Sequence, residues 1–171
     1  MPRAHGDDAM RRTPTRLARI AAAALAVGGG AAAAAAASEG AAPSAVARVD
    51  APARVAVSPG ERAALAPERG AVLIVTVASY TPAREGSVSA EVDAHGPSGE
   101  SVPVGGFGVF PNVAFSESDP ASGMSFALPL APERLRRLGG APTEIVVRLE
   151  PFGAAASGAQ MTIGGVELRP R

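Results

Sequence analysis

The chain has 171 residues, enough for one domain, and its 16 Asp and Glu residues balance 16 basic residues, all of them arginine. It contains no cysteine, which excludes a disulfide framework, a thiolate metal site and a cysteine nucleophile. With only five Phe, one Tyr and no Trp, a core has to be built mainly from Val, Leu, Ile and Ala.

The N-terminal leader, residues 1–37, is organised as an export signal. An arginine-containing segment precedes the apolar segment Ile20–Val27, and a run of small residues then ends at Ala37. We expect cleavage between Ala37 and Ser38 and a mature protein that is periplasmic or secreted. The alternative is a leader retained as a membrane anchor, because the uncharged stretch that begins at Ile20 approaches the length of a transmembrane helix.

The pair Arg11-Arg12 leaves the twin-arginine export route open, and either Met1 or Met10 is the start. Without the leader, 16 − 5 = 11 arginines face 16 − 2 = 14 acidic residues, a net charge of −3. A mildly acidic domain without a basic cluster argues against nucleic acid and against anionic membrane surfaces as partners. After removal of the leader we expect no stable membrane span.

After a flexible tether at residues 38–45, the chain has the pattern of a β-domain over residues 46–171. Apolar segments that alternate with polar residues, or that are continuously apolar, are separated by Gly, Pro and polar turn residues. The strands are expected at residues 46–57, 71–80, 87–94, 101–110, 125–130, 143–153 and 160–170. Their order predicts an all-β fold, either an antiparallel β-sandwich or a small barrel, with one short helix.

Individual segments make this prediction more specific. Pro52 predicts an edge strand or two short pieces in the first strand segment. Ala71–Tyr80 is continuously apolar and rich in β-branched residues, so a central strand buried on both faces is favoured over a buried helix. Residues 87–94 alternate, with Val88, Ala90 and Val92 expected to face inward.

Turns and connections follow from Gly, Pro and polar residues. Ser58-Pro59-Gly60 predicts a turn, and residues 61–69 are either a helical turn or an irregular loop. Pro111–Gly123 predicts a long irregular loop, which is either functional or mobile. The one helix is expected at Pro132–Leu138, with Pro at its start and Gly-Gly at its end.

The last two strand segments, within Thr143–Pro170, are expected to form a hairpin around a Gly- and Ala-rich turn. Gly164-Gly165 predicts a bulge in the second of them, and Gly105-Gly106 predicts another in an earlier strand. Neither glycine pair precedes a helix and a lysine, so neither is a phosphate-binding loop.

No catalytic constellation is visible in the sequence. Outside the leader His95 is the single histidine, which is too few for a zinc or copper site, and we expect it in an exposed turn. No G-x-S-x-G motif accompanies it, and Asp93 is a neighbour in sequence rather than evidence of a dyad. Glu117 and Asp119 lack the spacing of a calcium loop. The sequence therefore predicts a protein that is not an enzyme and that binds no cofactor or metal.

From Val72 onward the order of segments resembles the C-terminal β-domain of polyphenol oxidases and related tyrosinase-like copper enzymes. The closing pair EIVVRLEPFG (Glu144–Gly153) and MTIGGVEL (Met161–Leu168) is similar to the family's V-x-L-V-P-R-G-G and V-T-I-G-G-V elements. Phe126–Gly140 resembles the leucine-bearing helix that precedes them. SAEVDAHG (Ser89–Gly96) stands at the family's K-F-D-V strand but lacks its basic and aromatic residues.

In that family the β-domain follows a helical dicopper domain and shields its active site. The resemblance therefore implies a non-catalytic, exported accessory chain without the copper domain, whose partner is a copper oxidase encoded separately. Phe107, Phe110, Asn112 and Phe115 are the candidate partner-binding residues, because they combine apolar side chains with a polar group on one segment. The alternative is that these phenylalanines fill the core.

Three classes of function remain open: a capping partner of a copper oxidase, an exported binding or structural module unrelated to copper enzymes, and an enzyme. The lack of ligands and nucleophiles places the enzyme last.

Overall fold

The computed structural model describes residues 45–153 and 156–171. This part of the chain is a sandwich of two antiparallel sheets with two short helices, which confirms the predicted all-β fold and selects the sandwich over the barrel. The leader, its cleavage site and the tether up to residue 44 lie outside the described residues. The elements are β1 Ala45–Arg48, β2 Ala53–Ala56, α1 Pro59–Ala63, β3 Ala71–Thr81, β4 Ser87–His95, β5 Ser101–Phe107, β6 Phe115–Ser116, β7 Met124–Leu130, α2 Pro132–Arg137, β8 Glu144–Phe152 and β9 Gln160–Pro170.

Strand β3 is the centre of the first sheet, where it pairs with β9 on one side and with β7 and β6 on the other. Its central position confirms the prediction for this apolar segment. The prediction that both faces are buried was wrong. Leu73, Val75 and Val77 are buried in the core, whereas Val72 and Ile74 on the opposite face are only half-buried. The reason is the two-layer architecture, in which the outer face of a sheet is the surface of the molecule.

Two bulges interrupt the pairing of β3 with β9. Gly164 has no partner on β3, since its neighbours Ile163 and Gly165 pair with successive β3 residues, and the predicted bulge is thereby confirmed. Ala78 is the extra residue on β3. Because of this insertion, Tyr80 faces the core and is 2% exposed.

The second sheet has the order β2-β8-β4-β5. In β4 the predicted inward residues Ala90 and Val92 are buried, and Asp93 faces the other side as expected. Asp93 is nevertheless only 8% exposed. Its carboxylate lies 2.8 Å from the guanidinium of Arg148 on β8, and this partner compensates for the loss of hydration.

The β5 strand is shorter than predicted, because it ends at Phe107 and not at Phe110. Beyond Phe107 the chain leaves the edge of the second sheet and crosses to the first, where β6 pairs with β3. A bulge makes Val104 the extra residue of β5, beside Gly105. The carbonyl of Val104 accepts a hydrogen bond from Arg134 of α2 at 2.5 Å, so the bulge does not leave this acceptor unpaired.

The predicted hairpin of the last two strands was wrong. Strand β8 lies between β2 and β4 in the second sheet, and β9 lies between β1 and β3 in the first. Each strand has one apolar face, and two apolar faces opposed across a core exclude more water than the same strands side by side. The connection 153–159 is also longer than typical hairpin loops of about 2–5 residues.

Both helices have sequence signals at their ends. Helix α2 agrees with the prediction, and Gly139 after it has a φ of 73°, as a helix-terminating glycine requires. Helix α1 begins within the predicted turn at residues 58–60 and extends to Ala63, so the start of the segment 61–69 is the helical turn and not the irregular loop. Ser58 and Glu61 form a capping box that starts it, and Glu61 Oε1 also accepts the backbone N–H of Leu168 at 3.2 Å.

All strands are antiparallel to their neighbours, so β1, β3, β5 and β8 finish at the same end of the sandwich. We call it the Phe110 end, defined by the strand termini Arg48, Thr81, Phe107 and Phe152 and the connections that follow them. The opposite end carries α1, α2 and the connection from β4 to β5.

Candidate functional site

Loop 108–123, which joins β5 to β7, is attached firmly to the first sheet. Strand β6 lies within this loop and pairs with β3, and the N–H of Glu117 donates to the carbonyl of Ala78 at 2.8 Å. The turn Pro120–Ser122 is a 3-10 helix. The prediction of a wholly irregular loop was therefore wrong, because an edge of β3 was available for its backbone to pair with.

Two glycines allow this loop to approach the strands closely. A Cβ atom at Gly164 would collide with the carbonyl oxygen of Pro120, and one at Gly123 would collide with that of Val77. No other residue fits these contacts without moving the backbone. The bulge at Gly164 thus has a specific role, since it receives the loop.

A side-chain hydrogen bond fixes the first half of the loop. The hydroxyl of Tyr80 donates to Oδ1 of Asn112 at 2.7 Å. The phenol of Tyr80 is protonated at neutral pH and can donate, and burial raises its pKa above the ordinary value of 10, so it remains a donor to a higher pH than a free phenol does. Asn112 follows Phe110 and Pro111, which are joined by a cis peptide bond. The bond between Tyr80 and Asn112 thus attaches the loop to the core two residues after Phe110.

The three candidate phenylalanines occupy different environments. Phe110 is 89% exposed. Phe115 is half-buried, with its ring centroid 6.5 Å from that of Tyr80. Phe107 stacks on Phe126 of β7 at a centroid distance of 4.0 Å and closes the sandwich between the two sheet edges. Phe107 and Phe115 thus pack against the core, and Phe110 is the one available to a partner.

A cavity of about 410 Å³ that is widely open to solvent lies beside Phe110. This volume falls in the range of about 300–1,000 Å³ found for ligand sites. Glu117 and Ser122 are the polar residues of its wall. Its apolar wall consists of Val109, Pro111, Val113, Phe115 and Met124.

Exposed apolar side chains are concentrated at the Phe110 end. In the described part of the chain, the large hydrophobic residues with the greatest exposure are Val49, Phe110, Val113, Met124 and Phe152. Each lies in a connection at this end or at a strand terminus beside it. Scattered single hydrophobic residues are ordinary on a protein surface, but grouping at one end indicates an interaction site.

The charges at the Phe110 end are mainly negative. Its connections carry the exposed acidic residues Asp50, Glu85, Glu117 and Asp119, and the exposed basic residues there are Arg48 and Arg84. The Phe110 end therefore combines exposed apolar residues with an excess of negative charge. It does not fit an anionic membrane.

His95, the residue considered as a catalytic base, lies at the opposite end of the sandwich from this loop. His95 is half-buried at the end of β4 and not in an exposed turn, because its backbone pairs with β8 and with β5. Its Nε2 lies 3.4 Å from the hydroxyl of Ser101. Asp93 is bound to Arg148, and Ser122 donates to Asp119 at 3.0 Å.

Among the residues that the structure describes, no group of three His, Cys, Asp or Glu side chains is placed to hold a metal ion. Within the same ranges no helix has the length and hydropathy needed to cross a bilayer.

Sequence reasoning named Phe110 and Asn112 as candidates but did not name Tyr80, Val113, Met124 or Phe152, which the structure places at the same end. Tyr80 lies at the end of the most apolar strand, and nothing in the sequence indicates that its hydroxyl binds Asn112. Phe152 follows the exposed Glu150 and Pro151, and Pro151 was the available signal that the strand was ending.

Comparison of the chain with protein-family models, curated proteins and solved structures gave no match.

Proposed function

We propose that this chain is a non-catalytic, exported accessory protein that docks through its Phe110 end on a tyrosinase-like dicopper oxidase and shields the oxidase active site. The observation that supports it best is the 89% exposure of Phe110 on a loop held by backbone pairing, two close-packed glycines and the Tyr80–Asn112 hydrogen bond. A large side chain presented on a fixed loop binds at a small entropic cost. Such residues dominate interface energies.

The identity of the partner follows from the resemblance of Glu144–Gly153 and Met161–Leu168 to the closing strands of the polyphenol oxidase β-domain. In that family the β-domain covers a concave copper site. An apolar projection with a polar border is the shape that covers a hollow of this kind. Phe110, with Asn112 and Glu117 beside it, supplies both parts.

The test uses the mature chain and a copper oxidase encoded next to it. We expect the two proteins to co-purify and the chain to suppress phenol oxidation. Phe110→Ala should weaken the suppression about 10- to 100-fold, since burial of one Phe contributes about 1.5–3 kcal/mol. Its melting temperature should not fall, because the exposed ring contributes little to the core.

Phe115→Ala serves as the matched control for packing. Phe115 contacts Tyr80, so its truncation should lower the melting temperature. Failure of the chain to bind the oxidase would refute the proposal. So would a complex whose turnover is indifferent to Phe110→Ala.

A second candidate is an exported binding module unrelated to copper enzymes. The grouping of Phe110, Val113 and Phe152 at one end favours it, because that surface requires a partner but not a copper protein. Genomic neighbours without a copper oxidase, together with an unrelated partner lost on Phe110→Ala, would select this candidate.

A further inference from the structure

We propose that in the absence of another partner the chain forms a reversible two-fold dimer, in which Phe110 of each copy enters the apolar cavity of the other. This inference does not depend on the copper oxidase. It needs only the exposed Phe110 and the adjacent cavity.

The projection and the cavity belong to one patch of surface. Phe110 is 89% exposed, and the residues on either side of it, Val109 and Pro111, are part of the cavity wall. A two-fold interface uses the same patch on both subunits, so the patch must contain both a projection and a recess that receives it. The Phe110 loop meets this requirement within three consecutive residues.

The cavity also has suitable size and chemistry. Its volume of about 410 Å³ accommodates a phenyl ring, and its wall includes Val113, Phe115 and Met124. The ring of Phe115 offers an aromatic neighbour, and aromatic pairs gain beyond the area they bury. Val113, 56% exposed, borders the cavity and would lose water in the same step.

The Phe110 loop is already ordered in the monomer. Asn112 is held by Tyr80, and β6 is paired with β3, so binding orders few additional groups. The exposed Phe therefore need not rearrange to dock.

The buried area sets the strength of the dimer. One Phe buries about 150–250 Å², so two rings with the neighbouring Val and Met side chains fall short of the roughly 1,200 Å² of a stable interface. The dimer should accordingly be weak, with a dissociation constant of roughly micromolar to millimolar.

Glu117 lies in the cavity wall of each copy, so the two-fold arrangement brings like charges close together. Screening by salt should therefore strengthen the association.

The experiment is sedimentation analysis of the purified mature chain over a wide concentration range, at low and high salt. Wild type is expected to shift from monomer to dimer with increasing concentration, and more so at high salt. Phe110→Ala should weaken the dimer about 100-fold or more, because two rings are lost for each dimer. Phe152→Ala is the matched control, since Phe152 is 77% exposed but is not part of the cavity wall. It should associate like wild type.

A second variant tests the recess itself. Met124→Arg places a charge in the cavity wall at an exposed position and should also abolish the dimer. If this variant melts early, Val113→Arg on the loop replaces it. Mixing Phe110→Ala with Met124→Arg should restore part of the association, because an intact Phe110 then meets an intact cavity.

A wild-type chain that stays monomeric at every concentration overturns the proposal. Equal loss of association in Phe110→Ala and Phe152→Ala also overturns it, as does a mixture that fails to associate. These measurements involve the chain alone, so a monomer that still suppresses a copper oxidase would refute the dimer and leave the proposed function standing.

Discussion

The hydrogen bond between Tyr80 and Asn112 allows a test of how the Phe110 loop is held, because its two partners differ in exposure. Tyr80 is 2% exposed, whereas Asn112 is exposed to solvent. In Asn112→Ala the buried hydroxyl loses its acceptor, and an unsatisfied buried group costs about 1–3 kcal/mol. In Tyr80→Phe the donor itself is removed and water replaces it at Asn112, so the cost is that of an ordinary hydrogen bond, about 0.5–1.5 kcal/mol.

We therefore expect Asn112→Ala to destabilise the domain more than Tyr80→Phe, by about 1 kcal/mol. The double variant should be about as stable as Tyr80→Phe alone, since no orphaned hydroxyl remains. Urea unfolding followed by far-UV circular dichroism measures all three variants, and a difference of this size shifts the midpoint by about 0.3–1 M. A greater loss in Tyr80→Phe, or additive losses in the double variant, would show that Tyr80 is not sealed from water and that the bond does not hold the loop.

The remaining predictions concern the core, metals, titration and export. Val75→Asp should unfold the domain, because Val75 is fully buried on the central strand and an unpaired buried carboxylate costs several kcal/mol against a total of about 5–15; an unchanged melting curve would contradict this. The purified chain should hold no stoichiometric copper or zinc by elemental analysis. Tyr80 is the single tyrosine, so absorbance titration of the native protein should give a midpoint above 10. Because this pKa is raised in the folded state, the associated stability is present below pH 10 and is lost as the pH rises through the folded value, a loss that Tyr80→Phe should lack. Intact mass of the exported protein should place its first residue at Ser38, and a product that retains Ile20–Val27 would refute cleavage.

The strands and the fold class were predictable because their signals are local. Alternation over residues 87–94 and the apolar run over 71–80 indicate strands whatever their neighbours are. The bulge at Gly164 and the helix that begins at Pro132 were predicted from single residues with few alternative conformations. A helical turn after residue 60 was left open against an irregular loop, although the capping box of Ser58 with Glu61, present in the sequence, favours the helix and places its start at Pro59.

Pairing between strands was not predictable in the same way. The pattern of Ile145, Val147 and Leu149 shows which face of β8 is apolar, and that of Met161 and Ile163 does the same for β9. Neither pattern shows whether the two faces lie side by side or opposite each other. The difference depends on the tertiary burial that each arrangement achieves, which a local period does not encode.

The sequence indicated which loop carries the candidate phenylalanines but not which of them is exposed, for a related reason. Phe110 and Phe115 belong to one loop, and composition cannot separate them. The separation arises because residues 115 and 116 pair with β3, which turns Phe115 towards Tyr80 and leaves Phe110 beyond the sheet edge. Phe152 lies far from this loop in sequence, and only the shared end of the sandwich brings the two into one region.

The Phe110 loop also supports the choice of this end of the sandwich in the proposed function. Burial of a Phe side chain stabilises a fold by about 1.5–3 kcal/mol, which an exposed Phe does not contribute. This is a sizeable part of a typical free energy of unfolding of about 5–15 kcal/mol. A polar residue at position 110 would serve the fold equally well, since the ring is 89% exposed. The chain instead holds this loop with an ordered hydrogen bond at Asn112 and with glycines at 123 and 164 that admit no side chain. These contacts stabilise the domain, since they involve the core residues Tyr80 and Val77, but none of them requires an aromatic ring at position 110. An exposed ring on a loop held in this way agrees with the proposal that it docks on another surface.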